Sequence, residues 1–164
     1  MQLSLKTQRL ARIAPFSLLE SEAVRLLAFD GEELSLEPDA ELFRQGEPAD
    51  GGFAVLAGAV ALERQGEVPT PVRLLGAGSL IGVHALIVPG ERPATATARE
   101  KSFLIGLPRR LMLRVLEAFP DSAAAFTHYI QGSIAEQASA LGRIADAIDG
   151  VMKSYKSSES RTGT

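Results

Sequence analysis

The chain has 164 residues, a formal net charge of −3, 46% hydrophobic residues and no Cys. That length suits a single domain that can bury a core without staples, and the missing Cys exclude disulfides, thiolate metal sites and a Cys nucleophile. Acids outnumber bases by 20 to 17 and no basic cluster exceeds Arg109–Arg110, which argues against a dedicated nucleic-acid domain.

No apolar run reaches the ~18 residues of a membrane span, and the N-terminus lacks the apolar stretch of a secretory signal. A cytoplasmic protein is expected.

In chain order, residues 3–13 place Leu3, Leu10 and Ile13 at helical spacing, and Pro15 ends that segment. A second short helix is expected over 21–29, with Val24, Leu27 and Phe29 facing inward and Asp30-Gly31 closing it. From Glu32 to Leu107 the pattern is short and strand-like, with turns at Pro38-Asp39, Gln45–Pro48, Gly66 and Pro69. Residues 53–56 and 60–62 read as two strands around a tight turn at Gly58, and 72–75, 94–99 and 102–107 as further strands. Short strands at this spacing suggest a sandwich or a barrel.

Pro108 is expected at the first position of a helix whose core face is Leu111, Val115 and Leu116. Pro120-Asp121 restarts a longer helix over about 121–152, on which Ile134, Ala138, Leu141, Ala145, Ile148, Met152 and Tyr155 form an a/d seam. That seam outruns what a small barrel can cover, so a homodimer through this helix is expected. Residues 156–164 read as a disordered Ser/Thr-rich tail.

Two stretches carry a resemblance. The first runs Leu42-Phe-Arg-Gln-Gly46-Glu-Pro through Phe53-Ala-Val-Leu56-Ala-Gly58-Ala-Val60. The second runs Gly78-Ser-Leu-Ile-Gly82-Val-His-Ala-Leu86 and on through Glu91-Arg92-Pro-Ala94. With four glycines in register, they resemble the cyclic nucleotide-binding domain family, which includes catabolite activator protein and the regulatory subunit of protein kinase A. The resemblance covers roughly residues 8–145. It implies an α+β, mainly β fold: an eight-stranded jelly-roll-like β-barrel flanked by N-terminal helices and C-terminal B and C helices, forming one domain over 1–155.

The resemblance also implies a phosphate-binding cassette at Gly82, Val83, His84, Ala85, Arg92, Pro93 and Ala94. In such a cassette a short helix aims free N–H groups at an anion, and an Arg supplies a planar cationic fork for the phosphate. The family places a Glu after the second Gly to accept from the ribose 2′-OH; this chain has Val83, which accepts nothing. The family's backbone donor after the Arg falls on Pro93, which has no N–H. His84 reads as a surface or packing residue.

The expectation is therefore a stand-alone regulatory or sensor module with weak or altered binding of cyclic AMP or cyclic GMP. The alternative is a ligand-independent dimerisation or protein-interaction module whose pocket is inactive, with Arg92 satisfied by a neighbouring carboxylate. No cofactor is expected. Only fourteen residues follow Gly150, too few for a winged helix, so no DNA-binding domain is expected. The chain reads as no enzyme: its two His lie on unlike segments and it has no G-x-S-x-G elbow.

Overall fold

The structure is a computed structural model that describes residues 1–133. The chain forms two compact units, Met1–Thr127 and His128–Thr164. The seam from Ile134 to Tyr155, most of the expected 121–152 helix and the 156–164 tail lie outside the described residues.

The first unit opens with helix α1 (Leu3–Ala11), a 3₁₀ turn (Phe16–Leu18) and helix α2 (Ser21–Asp30). Of the predicted face Leu10, Ile13, Val24 and Leu27 are buried and Leu3 is only half-buried; Phe16 joins the core as well, and Ile13 lies just past the end of α1. Phe29 differs: it is 67% exposed. Helix α2 buries Ala23, Val24, Leu27 and Ala28, a stripe at helical spacing that turns position 29 outward.

Gly31 ends α2 for a reason other than a left-handed cap, since its φ is −66°. A Cβ there would stand 2.5 Å from Ile105 Cγ2 and 2.6 Å from the Leu27 carbonyl oxygen. Glycine is required by close approach to the sheet rather than by backbone conformation.

Ten strands follow among the described residues: β1 (Glu32–Leu36), β2 (Glu41–Phe43), β3 (Pro48–Ala49), β4 (Gly51–Ala57), β5 (Ala59–Glu63), β6 (Arg73–Gly76), β7 (Leu80–Ile81), β8 (Gly90–Glu91), β9 (Thr95–Ala98) and β10 (Ser102–Pro108). Every pairing is antiparallel. Eight strands form two four-stranded sheets, β1-β10-β4-β7 and β2-β9-β5-β6, while β3 and β8 make a separate ribbon. The fold is the expected α+β jelly-roll type, but two sheets and a ribbon replace a continuous closed barrel.

Strands β4 and β5 are present and slightly longer than read from the sequence, yet they do not pair. They belong to different sheets, so Gly58 is a corner where the chain crosses between sheets. Its φ is +94°, and the Lys101 carbonyl oxygen would lie 2.6 Å from a Cβ. The buried Ser102 closes the corner, its Oγ accepting from the Ala59 N–H at 3.1 Å and donating to the Glu100 carbonyl at 2.9 Å.

The core between the sheets is Phe43, Val60 and Ala96 from one and Val55, Ile81 and Leu104 from the other. Burying an apolar side chain of this size contributes about 1.5–3 kcal/mol, so these inward faces fix the register.

Helix α3 (Arg109–Ala118) follows β10 directly. Pro108 is its N-cap rather than its first residue, and Met112 joins Leu111 and Val115 in the core while Leu116 is only half-buried. Residues 120–127 are helical and tied to α2 by Ser122, whose Oγ accepts from the Glu20 N–H at 2.9 Å. In the second unit the described residues, 128–133, are helical.

Candidate functional site

The cassette begins where the short strand β7 ends at Gly82. With φ +78°, Gly82 turns the chain out of the sheet at a conformation other residues resist. Space demands glycine as well, because a Cβ here would lie 2.9 Å from Arg92 Nη1. The structure thus brings together Gly82 and Arg92, two of the residues the resemblance places in the cassette.

Val83 is the N-cap of a single 3₁₀ turn, His84–Leu86. The expected helix is only this turn, so its dipole is small and any attraction for an anion rests mainly on Arg92. The turn's internal bonds begin with the Leu86 N–H donating to Val83, after which Ile87 and Val88 both donate to the His84 carbonyl. The amides of Val83, His84 and Ala85 precede the first of these. His84 is half-buried and its Nε2 is a buried atom with no hydrogen-bond partner.

The chain returns through β8 to Arg92, whose N–H donates to Glu47 at 2.8 Å and whose carbonyl accepts from Gly46 at 2.8 Å. These two bonds hold the arginine's backbone at the end of the ribbon. Pro93 is exposed and Ala94 half-buried, leading into β9.

The Arg92 side chain runs inward. The residue is only 5% exposed, more deeply buried than the partly exposed cation expected from the sequence. Its guanidinium carbon lies 4.4 Å from the ring centre of Phe43 and 5.4 Å from that of Phe53, and the two rings stack at 6.0 Å. Cation–π contacts of this kind contribute about 0.5–2 kcal/mol each.

Asp50 Oδ1 is 3.7 Å from Arg92 Nη2, beyond hydrogen-bond distance, on a side chain 91% exposed. The neighbouring carboxylate therefore pairs with Arg92 only loosely. Burial lowers the Arg92 pKa, Asp50 and Glu47 oppose that shift, and Arg109 adds to it. The guanidinium remains charged at neutral pH.

Three further contributors escaped the sequence reading: Asp50, the Phe43–Phe53 pair and Arg109. The Gly51-Gly52 pair was the available signal for how close the strands come. A Cβ at Gly52 would stand 2.9 Å and 3.0 Å from the carbonyl oxygens of Ile81 and Gly82, so this pair lets β4 lie against the start of the cassette. Among the described residues no group of three or more His, Cys, Asp or Glu side chains is placed to hold a metal ion, and no helix is long and apolar enough to cross a membrane.

The described residues form a two-sheet antiparallel jelly roll with helices before and after it, in which a glycine-led turn faces a buried arginine. The profile of the cyclic nucleotide-binding domain family matches residues 33–119, and the chain belongs to that family.

Solved relatives agree. A cyclic nucleotide-binding-like protein from Brucella abortus is 32% identical with a TM-score of 0.61, over 68% of this chain and 97% of that one. The N-terminal domain of a transcriptional regulator from Streptomyces coelicolor is 27% identical with a TM-score of 0.73, over 81% and 94%. The catabolite activator protein of Thermus thermophilus is 27% identical with a TM-score of 0.66, over 77% and 61%. No curated protein sequence matches the chain.

Proposed function

We propose that this chain is a regulatory sensor module whose cassette keeps its anion anchor but binds cyclic AMP or cyclic GMP weakly. The observation that carries this reading is Arg92: a buried guanidinium beside Gly82 with no carboxylate of the described residues in hydrogen-bond reach. Proteins do not ordinarily bury a cation so poorly paired for stability alone.

Around that anchor the ribose and phosphate lose support. Val83 offers no acceptor to a 2′-OH, and a charge-assisted hydrogen bond is worth roughly 1.5–3 kcal/mol. Pro93 offers no N–H, at about 1 kcal/mol more. Signalling would pass from the cassette to the C-terminal helix and a partner protein, with no catalytic step. The domain spans 1–155, dimerises through the 121–152 helix and works in the cytoplasm.

One observation favours the second reading, a ligand-independent interaction module. Arg92 packs on both Phe43 and Phe53 and so fills part of the interior itself. Calorimetric titration with cyclic AMP and cyclic GMP separates the two. The sensor reading expects saturable heat with affinity weaker than micromolar. Affinity at micromolar or tighter contradicts an eroded site, and no heat at any concentration supports the interaction module.

A further inference from the structure

Arg109 stands at the first position of α3, directly after the seven-residue strand β10. Pro108, paired with Gly51 on β4, sets where this residue sits. The half-buried side chain reaches back to the cassette rather than out to solvent.

Its Nε–H donates to the carbonyl of Ala85 at 3.1 Å, in the middle of the His84–Leu86 turn. An Nη2–H donates to the carbonyl of Ala49 on β3. Ala49 is the ribbon partner of Gly90, two residues before Arg92. The Arg109 backbone N–H donates to the carbonyl of Asp50 at 2.7 Å, and Asp50 bears the carboxylate that lies nearest Arg92.

One residue therefore touches the outgoing limb of the cassette, the ribbon that carries the returning limb, and the residue bearing Arg92's counter-charge. The two side-chain acceptors are neutral carbonyls, so these bonds are directional rather than ionic. A planar guanidinium can bond two carbonyls in fixed relative positions, which an ammonium on a flexible stem cannot do. The neighbouring Arg110 is exposed.

We infer that Arg109 is a positioning residue of the cassette: its fork fixes the His84–Leu86 turn against the β3–β8 ribbon, and so places Arg92 beside Gly82. The inference rests on reading the cassette as the ligand site. A general stabilising role would predict something different, because a staple that only raises global stability slows opening everywhere at once. A positioning residue controls local opening of the limbs it holds.

The test is residue-resolved amide exchange on the full chain, comparing wild type with Arg109→Ala, Arg109→Lys and the control Arg110→Ala. The reporting amides are Ile87 and Val88, which donate to His84, and Arg92, which donates to Glu47. Ala98, which donates to Ala40 outside the cassette, is the reference. Losing two ordinary hydrogen bonds should speed exchange at the three reporters roughly tenfold or more, with Ala98 unchanged.

Arg109→Lys should lose most of the protection, and Arg110→Ala none. If Arg109→Ala does not fold, Arg109→Lys carries the comparison. Unchanged reporters, or Ala98 accelerating by the same factor, would overturn the inference. The same spectra with millimolar cyclic AMP test the parent reading separately. If wild-type reporters ignore the nucleotide while the Arg109 variants still accelerate them, the ligand reading fails and the positioning role stands.

Discussion

Replacing Arg92 by methionine should make the protein more stable, not less. The guanidinium is 5% exposed, its nearest carboxylate is 3.7 Å away, and that carboxylate is largely in solvent. Burial lowers the Arg92 pKa. A base with a lower pKa in the fold than in the unfolded chain costs stability whenever it is charged, so the cost is fully present at neutral pH.

Against this stand two cation–π contacts of about 0.5–2 kcal/mol each, set beside a desolvation penalty of several kcal/mol for a buried ion. Methionine has a similar unbranched stem and a sulfur that packs on aromatic rings at about 0.3–1.5 kcal/mol. Arg92→Met should therefore raise stability by about 1–2 kcal/mol, at the low end of what apolar replacement of buried ion pairs achieves. In a chain of this size that is a rise in Tm of roughly 2–8 °C.

Arg92→Ala should fall below Arg92→Met by about 2–5 kcal/mol, because truncation leaves a cavity between Phe43, Phe53 and Gly82. A partly exposed arginine, as the sequence alone suggests, would show little effect, so the burial of Arg92 is what changes the expectation. Urea unfolding followed by far-UV circular dichroism measures both. If Arg92→Met loses more than about 1 kcal/mol, the cation is structural and the argument that it is kept for a ligand fails.

Gly31→Val should destabilise by about 1–3 kcal/mol through overpacking against Ile105 and Leu27, without changing the m-value. The Lys6 ammonium hydrogen-bonds Glu33 and, with the N-terminal amine, holds its pKa below the usual carboxylate range. That pairing stabilises the fold above the ordinary carboxylate pKa and is lost as pH falls through the lowered value; Lys6→Ala should flatten the acid limb of a stability–pH curve. Leu141→Asp should dissociate the expected dimer, since a desolvated carboxylate on the seam is costly; a monomeric wild type in analytical ultracentrifugation at tens of micromolar would count against the seam itself.

Much of this fold could be read in the sequence because its glycines are positional. Gly46, Gly58, Gly78 and Gly82, which carry the family resemblance, all adopt positive φ. Each marks a bend that other residues resist, so its spacing records the path of the chain. The same pattern could not say which sheet a strand joins. Two apolar runs flanking Gly58 look alike whether the chain folds back or crosses over, and only the long-range pairing of β4 with β10 and of β5 with β9 decides it.

The site was legible as a set of residues but not as an environment. Arg92 and Gly82 were found through the family resemblance their motif carries, whereas the burial of Arg92 depends on Phe43 and Phe53 from two other strands. Arg109 left no trace because its partners are the backbone carbonyls of Ala49 and Ala85, which any residue could provide.

The claim that the cassette keeps its frame and has lost its nucleotide contacts is tested most directly by restoring them. Titrating the double variant Val83→Glu, Pro93→Ala with cyclic AMP and cyclic GMP beside the wild type measures both lost contacts at once. Recovering them should tighten binding by about 2–4 kcal/mol, a factor of roughly 30 to 700, and Arg92→Ala in that background should remove the gain. A double variant that binds no better than wild type would contradict the account.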